Sequence, residues 1–235
     1  MAERPPFHRR HLFRMLPADA AAFLRSIGLG STSIAPNRDL VAAGEVGGHV
    51  FLLVEGWAFA YVDAPRGRQI LRFFLPGDLL GLQSGLLGII DHSVRALTLA
   101  RFDAIDGRRF DELFAAHPSA ALAIAKLLAE EERRADRRLA LLGHGTALQR
   151  IAFLLLEIFT ACAERDLATG DSCPFPLRRQ HIADFTGLTG AHVNRTMRIL
   201  RTAGLAAVQR DSLTIPDRAM LAQFAEGRAE VPPAG

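Results

Sequence analysis

LRRQHIADFTGLTGAHVNRTMRILRTAG, residues 177–204, carries two helix signals separated by a short turn. Arg179 to Thr186 predicts a first short helix, and Gly187 permits a sharp turn after it. Thr189 is a good N-cap for a second helix, Gly190 to Thr202, which Gly204 then ends. Ile182, Leu188, Val193 and Met197 supply apolar contact between the pair, and Ala183 is small where two helices must approach closely. This is helix-turn-helix logic. Beyond Gly204, the runs Leu205 to Val208 and Leu213 to Ile215 flank Gln209 to Ser212 and predict two strands around a tight turn, a wing. An arginine-rich pair of solvated helices explains the charge of this stretch, but gives no reason for Gly187, Thr189, Gly204 or the wing.

In such a motif the exposed first turns of the second helix enter the major groove of double-stranded DNA. That turns Gly190, Ala191, Asn194 and Arg195 toward base edges. The Arg195 guanidinium can give two hydrogen bonds to guanine O6 and N7, and Asn194 matches adenine or a phosphate. Gly190 and Ala191 offer only backbone amides and a methyl group. Thr189, His192 and Arg198 are placed for phosphates, and Arg178 and Arg179 add positive charge before the first helix. The whole chain has a net charge of only +3. Between Leu177 and Arg218, however, seven arginines face three aspartates, a local surplus of +4. The distribution of charge, more than its total, points to nucleic acid.

Upstream, Asp166 to Pro176 contains Gly170 and two prolines and predicts a loop. Ala147 to Ala163 predicts a helix rich in Ile151, Phe153, Leu154, Leu155, Ile158 and Phe159, with a helix break at Gly143 to Gly145 before it. From Pro118, Ala121, Leu128, Ala135 and Leu142 recur every seven residues, with Ala125 and Leu139 on a second row that Glu132 interrupts. A long helix over 118–143 with such a stripe needs an apolar partner, and the same helix of a second copy supplies one. A homodimer interface on Ala121, Leu128, Ala135 and Leu142 is the expectation.

Before this helix the texture differs. Val50–Val54, Trp57–Val62, Arg68–Phe74 and Val94–Arg101 read as strands punctuated by glycines. Trp57, Phe59 and Tyr61 alternate with Ala58, Ala60 and Val62, giving one bulky and one small face. A small antiparallel jelly roll over about 30–103 fits this pattern, preceded by a short helix over Pro17 to Ile27 with Pro17 at its first position. The fold class is therefore α+β. The expected organisation is a sensor domain over 1–117, a dimerisation helix over 118–143, a winged helix-turn-helix domain over 144–225 and a flexible tail over 226–235.

With 235 residues, 49% hydrophobic and 23% charged, the chain has the composition of a two-domain globular protein. The most apolar run, Leu79 to Ile90, is broken by Gly81, Gln83, Ser84, Gly85 and Gly88, so no membrane span is expected. Met1 to Arg14 lacks a signal-peptide core, and the reading is cytoplasmic. Cys162 and Cys173 have neither redox nor metal-ligand spacing and read as reduced thiols. An enzyme finds no home. In GLQSG, residues 81–85, the serine is one position late for a nucleophile elbow, and Asp91, His92 and Ser93 are consecutive, so they do not converge on one atom. Phosphate-binding glycine loops are missing from the sequence.

Two stretches carry a family resemblance. FLPGDLLG, residues 74–81, resembles the barrel signature of the Crp/Fnr superfamily, and GLTGAHVNR, residues 187–195, resembles its recognition-helix motif in the His-Val-Asn-Arg variant of many proteobacterial members. The resemblance spans almost the whole chain. It implies a cyclic-nucleotide-binding-like β-roll, a long dimer helix and a winged helix whose Arg195 contacts guanine in each half of a palindrome, with RNA polymerase as the partner at the promoter. Where relatives carry an acidic residue four positions before Arg195, this chain has Ala191, so the relatives' half-site preference does not carry over.

The effector pocket of the family falls on Gly81, Leu82, Gln83, His92, Ser93 and Arg95. Cyclic-nucleotide members hold the ribose with a glutamate after the second barrel glycine and the phosphate with an arginine before serine or threonine. Here those positions are Leu82 and His92, which speaks against cyclic AMP, although Arg95 offers a cation from a shifted register. No cysteine precedes Cys162, so the N-terminal iron-sulfur cluster of oxygen-sensing members is not expected. His8, His11, His49 and His92 occur singly, which does not favour haem. A second reading is a signalling module of this fold that acts through protein partners with a degenerate helix-turn-helix, but Asn194 and Arg195 on the exposed face argue against degeneration.

Overall fold

A computed structural model describes residues 16–65 and 67–228. It forms two compact units, one from residues 1–63 and 70–131 and the other from 64–69 and 132–235, as far as these are described. His8 and His11, and the tail beyond Arg228, lie outside the described residues.

The first unit is a β-roll. Its strands are β1 (Gly28–Ile34), β2 (Asp39–Val41), β3 (His49–Glu55), β4 (Ala58–Ala64), β5 (Gly67–Phe74), β6 (Leu79–Leu80), β7 (Ser93–Ala96) and β8 (Ala100–Asp106). They make two four-stranded sheets, ordered β1-β8-β3-β6 and β2-β7-β4-β5. The alternation in β4 decides which face looks inward. Ala58 and Ala60 join Leu53, Phe74, Val94 and Phe102 in a common core, whereas Phe59 and Tyr61 lie on the other face, with the Phe59 ring 6.3 Å from that of Phe73. Small residues at the sheet-to-sheet contact let the two layers close.

The run Val94 to Arg101, expected as one strand, is two. The chain turns at Leu97 to Leu99, where the Leu97 N–H donates to the Trp57 carbonyl at 2.8 Å and the Trp57 N–H donates to Thr98 Oγ1 at 2.9 Å. These bonds fix a corner at which the chain passes from one sheet to the other, so an unbroken apolar run hides a change of layer. Strands β1, β2 and β6 have no alternation of their own and give no strand signal in the sequence.

A second core lies beneath the roll. Helix α1 (Ala18–Ser26) takes Pro17 as its N-cap and buries Ala20, Ala21 and Leu24. These pack with Leu52, Ile105, Phe110, Leu113, Ala120 and Ile124, which come from β3, β8, α3 (Phe110–Ala116) and the start of α4 (Pro118–His144). A short helix, α2 (Leu82–Leu87), follows β6. Helix α4 is 27 residues long and buries only Ala120, Ala123 and Ile124. It runs through Gly143, and the break comes at Gly145, whose N–H donates to the Leu141 carbonyl at 2.7 Å.

The second unit is built around α5 (Ala147–Ala163), whose Ile151, Leu154, Leu155 and Phe159 are buried. Its start is fixed by a capping box. The Thr146 N–H donates to Gln149 Oε1 at 2.7 Å, and the Gln149 N–H donates to Thr146 Oγ1 at 3.3 Å. Within the expected loop, Ser172–Pro174 is a strand, β9, which pairs antiparallel with β11 (Ser212–Thr214), itself paired with β10 (Ala207–Gln209). The wing sheet therefore has three strands where two were expected, because β9 is too short to show any period in sequence. Helix α8 (Arg218–Ala225), which the sequence signals did not mark, buries Leu221 and Phe224 and sets the Arg218 guanidinium 5.2 Å over the Phe159 ring.

Candidate nucleic-acid interface

Helices α6 (Arg179–Thr186) and α7 (Gly190–Thr202) start and stop where their caps dictate. Gly187 closes α6 at φ 66°, in the left-handed region that glycine adopts freely. Thr189 opens α7, with its Oγ1 accepting from the His192 N–H at 3.4 Å and lying 2.9 Å from His192 Nδ1. Val193, Thr196 and Leu200 form the buried side of α7, opposed by Ile182, Ala183 and Phe185 of α6. Leu188 and Met197 are half-buried at the margin of that contact.

The opposite face of α7 is open. Thr189, Gly190, Ala191, His192, Asn194, Arg195 and Arg198 are all exposed, as are Arg178 and Arg179 at the start of α6. Among the described residues, the guanidinium groups of Arg178, Arg179, Arg195 and Arg198 have no carboxylate partner, in contrast with those of Arg68, Arg95 and Arg101, which do. Arg201 and Arg210 share this exposure. Both belong to the local charge surplus, and neither was expected to make a particular contact. Arg210 sits at φ 54° in the wing turn, between β10 and β11, and that position between two strands is the signal that marks it.

Beneath the open face the scaffold is polar but satisfied. Arg150 donates from Nη1 to the Thr186 carbonyl at 3.2 Å and from Nε to the Gly145 carbonyl at 3.0 Å, tying the end of α6 to the start of α5. Asp184 accepts from Arg68 Nε at 2.7 Å and from Gln180 Nε2 at 2.6 Å. His181 is buried, and its Nδ1 accepts from the Arg178 N–H at 3.0 Å. Burial, with the neighbouring Arg68 and Arg178 cations, lowers its pKa to about 4, so the imidazole stays neutral and keeps this acceptor.

In the β-roll a shallow pocket open to solvent is lined by Leu40, Phe51, Leu80, Ile90 and Val94 together with polar residues. Of the six expected pocket residues, Gly81, Gln83 and His92 line it, and Leu82, Ser93 and Arg95 do not. Leu82 packs on the core beneath the roll. Ser93 Oγ accepts from the Ala43 N–H at 3.0 Å. Arg95 is held by Asp39, with Nε–Oδ1 2.7 Å and Nη2–Oδ2 2.8 Å, and its Nη2 lies 2.7 Å from the Tyr61 hydroxyl. The pocket presents the Asp91 carboxylate, 2.5 Å from His92 Nδ1. A cyclic nucleotide needs a cation for its phosphate. With Arg95 already paired and Asp91 in the lining, these residues do not fit that ligand.

On α4, Leu128 and Ala135 are exposed and Ala121 and Leu142 half-buried, while Leu122 and Leu139 are 59% and 70% exposed along the same helix. Among the described residues no cluster of three His, Cys, Asp or Glu side chains is arranged to hold a metal, and no helix is long and apolar enough to cross a membrane.

An exposed arginine face on a winged helix-turn-helix, in one chain with a β-roll, defines a DNA-binding regulator with an attached cyclic-nucleotide-binding-like domain. Comparison with known proteins agrees. Residues 149–224 match the Crp-like helix-turn-helix domain, and residues 31–117 match the cyclic nucleotide-binding domain. The nitrogen fixation regulation protein FixK of Bradyrhizobium diazoefficiens is 33% identical over 178 residues, covering 74% of this chain and 72% of FixK. The transcriptional activatory protein AadR of Rhodopseudomonas palustris is 32% identical, covering 77% of this chain and 75% of AadR. The structure of FixK2 from Bradyrhizobium japonicum superposes with a TM-score of 0.73 at 26% identity, covering 83% of this chain and 96% of FixK2. The chain belongs to the Crp/Fnr family of transcription regulators, and its function is DNA-binding transcription regulation of that type.

Proposed function

We propose that the protein acts in the cytoplasm as a homodimer on a palindromic promoter site, each copy laying α7 in the major groove and meeting RNA polymerase beside it. The observation that carries this reading is the open face of α7, where Asn194, Arg195 and Arg198 stand exposed and the arginines lack counter-ions among the described residues. Arg195 reads guanine through a bidentate contact, and Asn194 takes adenine or a phosphate. Thr189, His192, Arg198, Arg178 and Arg179 hold the backbone, with Arg210 of the wing adding charge. Gly190 and Ala191 let the helix approach closely.

The dimer reading rests on α4, whose exposed Leu122, Leu128 and Leu139 have a second copy of the helix as their apolar partner. The signal acts at the pocket formed with Gly81, Gln83 and His92. Its ligand is of another class than a cyclic nucleotide, because the cation that a phosphate requires is engaged by Asp39.

Selection of bound sequences from a random duplex library, at moderate salt and with or without cyclic AMP, tests these points together. A palindrome with guanine in each half, recovered equally in both conditions, is the expected result. Enrichment only with cyclic AMP would overturn the reading of the pocket, and enrichment of single, unrepeated half-sites would overturn the dimer.

A further inference from the structure

Ten residues separate Cys162 from Cys173 in the chain, yet folding sets them side by side. Cys162 lies in the last turn of α5 and Cys173 at the middle of β9, both buried at 0% and 2% exposure. The Cys162 Sγ lies 3.9 Å from the carbonyl oxygen of Pro174, the residue next to Cys173, and the two thiols are near enough to act on each other's protonation. The connecting loop folds back over them. The Leu167 N–H donates to the Cys162 carbonyl at 2.9 Å, and Thr169 and Ser172 exchange backbone hydrogen bonds of 2.8 and 3.1 Å. Arg165 is buried against the same turn, donating from Nη1 to the Ala161 carbonyl at 2.8 Å, and its positive charge acts on Cys162.

Packing alone would be met by two small apolar side chains. The asymmetry of the pair has chemical content. The Pro174 carbonyl gives the Cys162 thiol an acceptor for its proton, and burial pushes that thiol up. Cys173 is therefore the sulfur that attacks first, and Cys162 retains its proton until a second step.

We propose that Cys162 and Cys173 form an intradomain dithiol that a hydroperoxide oxidises to a disulfide, fastening α5 to the wing sheet. Ala163 at the end of α5 and Glu164 and Asp166 in the segment after it are exposed, and local opening of this helix end admits the oxidant. The Cys173 thiolate attacks the terminal peroxide oxygen, the O–O bond breaks, and the alcohol or water leaves with a proton, giving a sulfenic acid. The Cys162 sulfur then attacks Cys173, forming the S–S bond as the S–O bond breaks and water departs. The dithiol loses two electrons and two protons, and the peroxide is reduced. Because β9 is an edge of the sheet that carries Arg210, the new bond changes how firmly the wing is held without touching α7.

The test treats the full chain with hydrogen peroxide, then alkylates it under denaturing conditions before mass mapping without reductant. The expected result is a loss of the mass of two hydrogens, one cross-linked peptide pair containing Cys162 and Cys173, and recovery of both thiols with a dithiol reductant. In Cys162→Ser, dimedone should trap a sulfenic acid at Cys173. Complete alkylation of both cysteines after peroxide, overoxidation to sulfinic acid without a cross-link, or a disulfide joining two chains would each overturn the proposal. The unsubstituted chain decides this by itself should the variant fail to fold.

Discussion

Acidification from about pH 7 to about pH 5 is a direct probe of the buried His181. In the unfolded chain its imidazole takes up a proton near 6.5, but in the folded state only near 4. Between those values the unfolded state binds more protons, so acid favours unfolding, and the loss of stability begins near 6.5 and is complete below about 4. At about pH 5 the second unit should have lost about 2 kcal/mol of a total of about 3 kcal/mol. Protonation would also remove the Nδ1 acceptor that the Arg178 N–H uses and set the new charge beside the Arg68 and Arg178 cations, which the Asp184 carboxylate only partly offsets. Hydrogen exchange of peptides from α6 and α7, corrected for the intrinsic effect of pH, is the assay, and about 2 kcal/mol corresponds to a roughly thirtyfold loss of protection. Glutamine keeps an acceptor but does not titrate, so His181→Gln should show little of this pH dependence. An equal fall in the variant would refute the assignment of the effect to His181.

Other substitutions separate recognition, assembly and fold. Arg195→Ala should weaken specific DNA binding by about 1–3 kcal/mol per half-site in a fluorescence anisotropy titration, and leave thermal unfolding unchanged because its guanidinium has no counter-ion among the described residues. Unchanged affinity would sink the assignment of α7. Leu128→Glu, at a residue 43% exposed, should shift sedimentation toward the monomer while the far-ultraviolet spectrum stays the same; an unaltered profile would count against the α4 interface. At Gly187 a Cβ would meet only Leu142 Cδ2 at 3.6 Å and Arg150 Nη1 at 3.7 Å, so Gly187→Ala should lose about 1–2 kcal/mol through its left-handed backbone alone. Gly187→Asn should lose less, and equal melting of all three proteins would show that the turn does not depend on that conformation.

Much of the helix-turn-helix is legible in the amino-acid sequence, because its signals are local. Thr189 as a cap, Gly187 and Gly204 as stops, and the spacing of Ile182 and Val193 act within a few helical turns, and α6 and α7 have the bounds those signals set. Exposure of Asn194 and Arg195 follows from the same period, since Val193 and Thr196 take the buried side. The α4 stripe is equally visible, although its true end at His144 depends on how Gly145 bonds back to Leu141.

Other features depend on pairings between distant residues. Arg95 looks available to a ligand in the sequence, but the pairing of β2 with β7 brings Asp39 to it from 56 positions away in the chain. Leu82 follows Gly81 in sequence, yet packs on the core rather than in the pocket, because α2 begins there and successive residues of a helix point in different directions. Strand β9 exists because β11 offers it hydrogen-bonding partners, and only that pairing carries Cys173 to Cys162. Caps, stops and helical periods act over a few residues and can be read from the sequence by itself. Strand register and the meeting of distant side chains are settled by the packing of the whole unit, and only the tertiary structure decides them.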